Sequence, residues 1–234
     1  MIFAAVLAAG SGSRMGATDM PKQFLPLGGK PVLIRTLENF LATEGIDATF
    51  VLSPADWVNY TADIIRTHLP HADVAVIAGG ASRNDTLLCA IQYIYDRYPV
   101  DAQTILLTHD AVRPFVTSEI IRANIRAVEE DGACDTVIPA TDTIVRSTDG
   151  RFIADVPLRN ELFQGQTPQS FRIEELRRTV ESLTPEETAV LTDACKIYAV
   201  RGKKVRLVPG SPENIKITYA SDLVLAEAIL DSRN

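Results

Sequence analysis

Short continuous apolar runs alternate along the chain with stretches whose apolar residues recur every three or four positions. The runs at residues 2–7, 48–52, 74–78, 104–108 and 136–138 predict strands buried on both faces. Between them, Leu33, Leu37, Phe40 and Leu41 fall at helical spacing, as do Ile64, Ile65 and Leu69, and then Leu87, Leu88, Ile91 and Ile94. Each set gives a helix one buried face. Thr117 or Ser118 is placed to cap a helix through Ile121, Ile125 and Val128 that stops near Gly132. This alternation predicts an α/β fold, a mostly parallel sheet with helices on both faces.

From residue 139 to about 169 the alternation lapses into polar and β-branched pairs. Residues 143–145 and 152–156 flank the turn-forming Asp149-Gly150, which predicts a hairpin projecting from the sheet over about residues 140–165. An excursion of that length is uncommon unless it binds something or packs on a partner subunit. Helices resume over 173–183 and 187–201, followed by a strand at 205–208, the segment 214–218 and a last helix at 223–230. No repeat, low-complexity stretch or linker interrupts the chain, so residues 1–234 are expected to form a single domain with the arm inside it.

Composition narrows the partners. The chain is 46% hydrophobic but only 6% aromatic, so aliphatic packing must build the core, and a disordered tail is excluded. A formal charge of −7 repels nucleic acid and anionic membrane, so neither is expected as a partner, and an anionic substrate must meet a local basic cluster. Cys89, Cys134 and Cys195 are an odd trio without metal-ligand spacing, which fits reduced thiols. The apolar opening follows no basic residue, unlike an export signal, and no apolar run approaches the ~20 residues of a membrane helix. A cytoplasmic location is expected.

Candidate chemistry clusters at strand ends. The first strand runs into Leu7-Ala8-Ala9-Gly10-Ser11-Gly12-Ser13-Arg14-Met15-Gly16, with Pro21-Lys22-Gln23 shortly after. A glycine-rich loop there exposes backbone N–H groups that can cradle phosphate. Its spacing matches neither the dinucleotide G-x-G-x-x-G nor the G-x-x-x-x-G-K-[ST] loop, so by itself it is also compatible with a plain turn carrying two surface cations. Three further clusters converge on the same end: residues 79–84 with Arg83, residues 108–115 with His109, Asp110 and Arg113, and residues 214–218 with Lys216. Taken singly, Asp110 with Arg113 reads as an exposed ion pair of little worth and Lys216 as a solvated lysine. With Arg14, Lys22 and Arg159 they supply six cations in an acidic protein, which points to a polyanionic site for a nucleoside triphosphate and a phosphorylated acceptor. A phosphate monoester is already a nucleophile near neutral pH, so such chemistry needs alignment and charge neutralisation, by Lys, Arg and Mg²⁺, more than a strong base. His109 and Asp110, adjacent in a strand, point to opposite faces, which makes His109 structural or orienting.

These residues in this order, with Thr167-Pro168-Gln169 and Asn214-Ile215-Lys216, resemble the cytidylyltransferase family that includes 2-C-methyl-D-erythritol 4-phosphate cytidylyltransferase, over nearly the whole chain. Residues 108–115, 164–171 and 191–196 are more similar to the branch acting on D-ribitol 5-phosphate, which makes CDP-ribitol for cell-surface polymers such as teichoic acids. The erythritol branch more typically has two alanines before the arginine, where this chain has Ala111-Val112, and an acidic residue after the glycine pair, where it has Ala81. The resemblance implies a Rossmann-like domain that dimerises through the arm, CTP as donor, a polyol phosphate acceptor, and Mg²⁺ carried mainly on the CTP phosphates rather than by protein ligands.

Carried over by position, the resemblance assigns Leu7, Ala8, Ala9, Gly10, Gly80 and Thr86 to the nucleoside, and Ser11, Gly12 and Arg83 to the triphosphate side. Arg14, Lys22 and Lys216 would neutralise the α-phosphate as catalytic groups. Asp110, Arg113, Thr143, Arg159 and Thr167 would position the acceptor, Thr143 and Arg159 from the partner's arm, with Asp110 also touching the nucleotide. Two other readings remain open on the residues alone: a sugar nucleotidyltransferase using UTP or another nucleotide, and a nucleotide-binding regulator whose arm is a docking surface.

Overall fold

The computed structural model describes residues 1–10, 20–190 and 193–233, without the side chains of 185, 189 and 190. Its centre is a seven-stranded sheet. In chain order the strands are β1 (Ile2–Leu7), β4 (Ala48–Ser53), β5 (Val74–Ala78), β6 (Ile105–Asp110), β7 (Ala133–Pro139), β8 (Phe163–Arg172) and β9 (Arg206–Pro209), while β2 (Pro26–Leu27) and β3 (Lys30–Pro31) form a separate small hairpin. Its two turn residues, Gly28 and Gly29, have positive φ of 52° and 79°, the geometry a tight hairpin requires. The helices are α1 (Val32–Leu41), α2 (Val58–His68), α3 (Arg83–Arg97), α4 (Ser118–Asp131), α5 (Ile173–Glu181), α6 (Pro185–Val190), α7 (Ala194–Val200) and α8 (Ala220–Ser232).

The spatial strand order is β5-β4-β1-β6-β8-β7-β9. All pairings are parallel except those of β8, which runs antiparallel to both β6 and β7. Period-two alternation in β1 explains the two-sided burial: Ala4 and Val6 face a core shared with Leu37 of α1 and Ile121 and Ile125 of α4, whereas Phe3 and Ala5 face one shared with Ile91 of α3, Leu176 of α5 and Tyr198 of α7. The helices therefore cover both faces, as the apolar pattern predicts. The expected α4 boundaries also hold: Thr117 accepts the Ile120 N–H, and Gly132 ends the helix at a φ of 82°.

Three expectations need correction. The arm is shorter than residues 140–165: the Ala140 N–H to Leu162 carbonyl bond closes its base, and the chain then enters β8, a strand near the sheet's middle. The apolar pattern hides β8 because its buried positions include Gln166, Thr167, Gln169 and Ser170, each given hydrogen bonds by neighbouring elements. Within the arm, pairing is confined to a bridge between Arg146 and Asp155. The helix expected over 187–201 is two, because the Asp193 carboxylate caps α7 by accepting the Lys196 N–H. The strand expected over 104–108 is displaced to Ile105–Asp110, so His109 and Asp110 are its last two residues. No helix among the described residues is long and apolar enough to cross a membrane.

Candidate active site

The chain leaves β1 for β4 on one side and later returns to β6 on the other, so β1 and β6 flank the sheet's switch point, where a crevice opens beyond the strand ends. A cleft of about 380 Å³ lies there. Leu7 to Gly10 form one wall, and the start of α3 with Gly80, Ser82 and Arg83 forms another. The α3 N-terminus is fixed by a reciprocal cap, the Ser82 hydroxyl accepting the Asp85 N–H and the Asp85 carboxylate accepting the Ser82 N–H. Glycine is required before it: a Cβ on Gly79 would stand 2.5 Å from that of Ala9, and one on Gly80 would meet the Asp85 backbone at 2.8 Å. The Gly80 N–H donates to Thr86 Oγ1 at 3.1 Å, which folds this loop onto the helix and leaves the helix N-terminus facing the cleft.

Lys22 begins a single 3₁₀ turn, Lys22–Phe24, whose three residues are buried, Phe24 in the core with Leu33 and Leu37 of α1 and against the rings of Trp57 and Tyr60. Its Nζ donates to the Ile217 carbonyl at 2.9 Å, and Gln23 Nε2 donates to the Ala8 carbonyl at 2.6 Å. Those bonds tie the β1 loop to the segment carrying Lys216. That segment is held in turn by the Ile217 N–H donating to the Val112 carbonyl.

Asp110 is the electrostatic centre. Its carboxylate meets Arg83 Nη1 at 2.5 Å, Lys216 Nζ at 2.9 Å and Arg113 Nε at 3.5 Å, so three cations surround one buried anion. Burial alone would raise its pKa, but the charges of Arg83, Lys216 and Arg113 more than reverse that and hold it well below the usual carboxylate range. The pair read in isolation as exposed is therefore buried, Asp110 and Arg113 having only 7% and 10% of their side chains accessible. Behind the cleft, His109 is wholly buried, and that burial depresses its pKa to about 4. The described lining thus offers the cations of Lys22, Arg83 and Lys216 and contains no His, Cys or Glu, as suits reactants that arrive ionised.

Of the residues expected at the site, Leu7, Ala8, Ala9, Gly10, Lys22, Gly80, Arg83, Thr86, Asp110 and Lys216 line the cleft. Ser11, Gly12 and Arg14 lie outside the described residues. Arg113 and Thr167 stand behind the lining: Arg113 Nη1 donates to the Asn214 carbonyl at 2.7 Å, and Thr167 Oγ1 accepts the Asp110 N–H at 3.1 Å. Thr143 and Arg159 are exposed on the arm and do not line the cleft of their own chain. Gln23, Ala81, Ser82, Ala111 and Val112 also line it. The Ser82-x-x-Asp85 capping pattern would have signalled Ser82, whereas Gln23 carries no signal beyond its neighbour Lys22. Among the described residues there is no cluster of three or more His, Cys, Asp or Glu, and the one carboxylate lining the cleft, Asp110, meets three cations.

Beside this centre, Gln169 Nε2 donates to both Asp135 and Asp193, at 3.1 and 2.9 Å. Burial, with the neighbouring Asp193 charge, pushes the Asp135 carboxyl up to about 6 against an ordinary 3.8. Both states are protonated below the unfolded value, so the folded-state penalty appears as pH rises through that window and is complete above it. Asp135→Asn, which keeps an oxygen for Gln169, should therefore stabilise the protein by on the order of 2 kcal/mol at pH 8, roughly 5 °C in Tm, and by nothing near pH 3.5. Thermal melts at the two pH values check this; an equal shift at both would refute it.

The family model described as 2-C-methyl-D-erythritol 4-phosphate cytidylyltransferase matches residues 2–232. A ribitol-5-phosphate cytidylyltransferase from Lactiplantibacillus plantarum is 49% identical over 234 residues, the whole of both chains. Among solved structures, a 4-diphosphocytidyl-2C-methyl-D-erythritol synthase from Anaerococcus prevotii superposes with a TM-score of 0.80 at 27% identity, covering 98% of this chain and 96% of that one. The 2-C-methyl-D-erythritol 4-phosphate cytidylyltransferase of Thermus thermophilus gives 0.73 at 26% identity, over 99% and 100%. With the cationic cleft at its switch point and this match along its length, the chain belongs to the 2-C-methyl-D-erythritol 4-phosphate cytidylyltransferase family.

Proposed function

We propose that the protein transfers the cytidylyl group of CTP to D-ribitol 5-phosphate. An oxygen of the acceptor phosphate attacks the α-phosphorus, the bond from that phosphorus to the bridging oxygen of the β-phosphate breaks, and CDP-ribitol and pyrophosphate leave. The observation that carries this reading is the arrangement of Lys22, Arg83 and Lys216 around a cleft whose described lining contains no His, Cys or Glu and whose one carboxylate, Asp110, meets three cations. Both reactants are ionised before they bind, so the residues' work is to align two anions and spread the charge that shifts in the transition state. The 49% identity to a ribitol-5-phosphate cytidylyltransferase favours ribitol over methylerythritol phosphate. In this reading a divalent cation carried on the triphosphate would share with Lys22, Arg83 and Lys216 the neutralisation of phosphate charge. Use of CTP agrees with a cytoplasmic enzyme.

The arm supports a homodimer. Phe152, Ile153 and Leu158 are 76%, 64% and 65% exposed, an apolar surface a second copy would cover. Arg159, on the same arm, is expected to reach the partner's acceptor site. Mixing Arg159→Ala with Lys22→Ala protein should then recover up to roughly a quarter of wild-type turnover, because half the dimers would be hybrids with one intact site each. No recovery after demonstrated subunit exchange would contradict a shared site.

The donor is tested by pyrophosphate release across CTP, UTP, GTP and ATP with D-ribitol 5-phosphate. CTP should be preferred by at least 10²-fold in kcat/KM, on the order of two buried hydrogen bonds to the base. Equal use of UTP would overturn the cytidylyl assignment, and CTP binding without release would point to a sensor.

A further inference from the structure

The turn that carries both Asp110 and Arg113 is gripped from behind at its two ends by one side chain. His109 Nε2 lies 3.1 Å from the Arg113 carbonyl, and His109 Nδ1 lies 2.9 Å from Thr167 Oγ1, which itself accepts the Asp110 N–H at 3.1 Å. The turn closes through the Arg113 N–H to the Asp110 carbonyl at 3.0 Å. The ring is buried and packs on Phe40 of α1, centroids 5.0 Å apart. Asn214 links the same network to the Lys216 segment, its Nδ2 donating to the Thr167 carbonyl at 2.9 Å while its own carbonyl accepts from Arg113.

Proton bookkeeping fixes the directions. A carbonyl only accepts, so Nε2 carries the proton, and a neutral ring then has a bare Nδ1 that only accepts. The Thr167 hydroxyl must donate to it. We propose that His109, held as the neutral Nε2–H tautomer, is a positioning residue that sets the Asp110–Arg113 turn, and that Thr167 serves the acceptor through this turn rather than by donating its hydroxyl proton to it. The charged groups near the ring are Asp110, whose anion would favour an imidazolium, and Arg113 and Arg83, which oppose it together with burial; the neutral form prevails down to about pH 4. The role assigned to His109 rests on the cytidylyl-transfer reading.

The test is in two arms. Long-range ¹H–¹⁵N spectra of the labelled protein report protonation at each imidazole nitrogen, and with three histidines in the chain the His109 pattern is assigned by its loss in His109→Asn. The expected pattern is a protonated Nε2 and a bare Nδ1, unchanged from pH 8 to 5. In kinetics, His109→Asn and Thr167→Val should each lower kcat/KM for the acceptor by on the order of 10²-fold, the effect of misplacing a reacting group by about 1 Å, while KM for CTP stays within about twofold. The double variant should lose no more than the worse single, since both cut one relay, and Thr167→Ser should recover most of the loss of Thr167→Val. A protonated Nδ1 in the wild type, losses that multiply, or losses in Tm alone would each overturn the proposal. A wild type inactive on every acceptor would instead contradict the transfer reading, and the spectrum would still decide the tautomer.

Discussion

Lys22→Ala should lower kcat by on the order of 10²-fold or more, with a smaller change in KM for CTP. The magnitude is that of deleting one fixed donor from a site whose charge is arranged for the transition state. Lys22 fits that description because its ammonium is held in place: the 3₁₀ turn follows Pro21, the side chain is buried, and Nζ donates to the Ile217 carbonyl at 2.9 Å at the cleft wall. A lysine so held gives up little side-chain freedom when a phosphate arrives. Lys22→Arg should restore only part of the rate, since a planar guanidinium does not fit a site shaped for a compact ammonium. Trp57, the one tryptophan in the chain, stacks on Phe24 of the same turn at 5.3 Å between centroids, so unchanged emission would certify that the turn survives. A near-normal kcat in folded Lys22→Ala would refute the role.

Asp110→Asn should do its damage first to stability. The substitution keeps the shape but leaves Arg83, Arg113 and Lys216 facing one another without their anion. Removing one partner of a buried ion pair typically costs about 3–5 kcal/mol, and the partial exposure of Arg83 and Lys216 places this case near the lower end, so about 3 kcal/mol and a Tm fall of roughly 5–10 °C are expected. The folded-state pKa is depressed, so the stabilisation is complete above the ordinary value of 3.8 and fades only as pH drops below it. The variant's deficit should therefore be constant from pH 5 to 8 and shrink in stronger acid. Pyrophosphate, by supplying the missing negative charge, should raise the variant's Tm more than that of the wild type. Unchanged melting at pH 7, or an equal pyrophosphate shift in both proteins, would contradict the balance of charges described for the cleft.

The sequence exposes what is apolar and periodic, and hides what is polar and buried. β1, β4 and β5 announce themselves as aliphatic runs because both faces are covered. β8 does not, since Gln166, Thr167, Gln169 and Ser170 occupy positions that neighbouring elements satisfy by hydrogen bonds, a fact of tertiary structure alone. The break at Asp193 is likewise a cap whose partner, the Lys196 N–H, has no sequence signature stronger than the helical period around it. Of the six cations read from the sequence, Lys22, Arg83 and Lys216 line the cleft and Arg113 stands behind it, as the rule for strand ends leads one to expect, whereas Arg159 lies on the arm and Arg14 lies outside the described residues. The burial of Asp110 was not legible, because an Asp-x-x-Arg spacing is the same string in solvent and in a core. Nor was the grip of His109 on its turn, although its opposite facing from Asp110 follows from strand geometry.

The most direct measurement is steady-state pyrophosphate release from CTP and Mg²⁺ with D-ribitol 5-phosphate, beside 2-C-methyl-D-erythritol 4-phosphate and a blank without acceptor. Release with ribitol 5-phosphate, at a kcat/KM well above that with the methylerythritol phosphate, is the predicted result. Release with the methylerythritol phosphate alone, or equally without any acceptor, would contradict it.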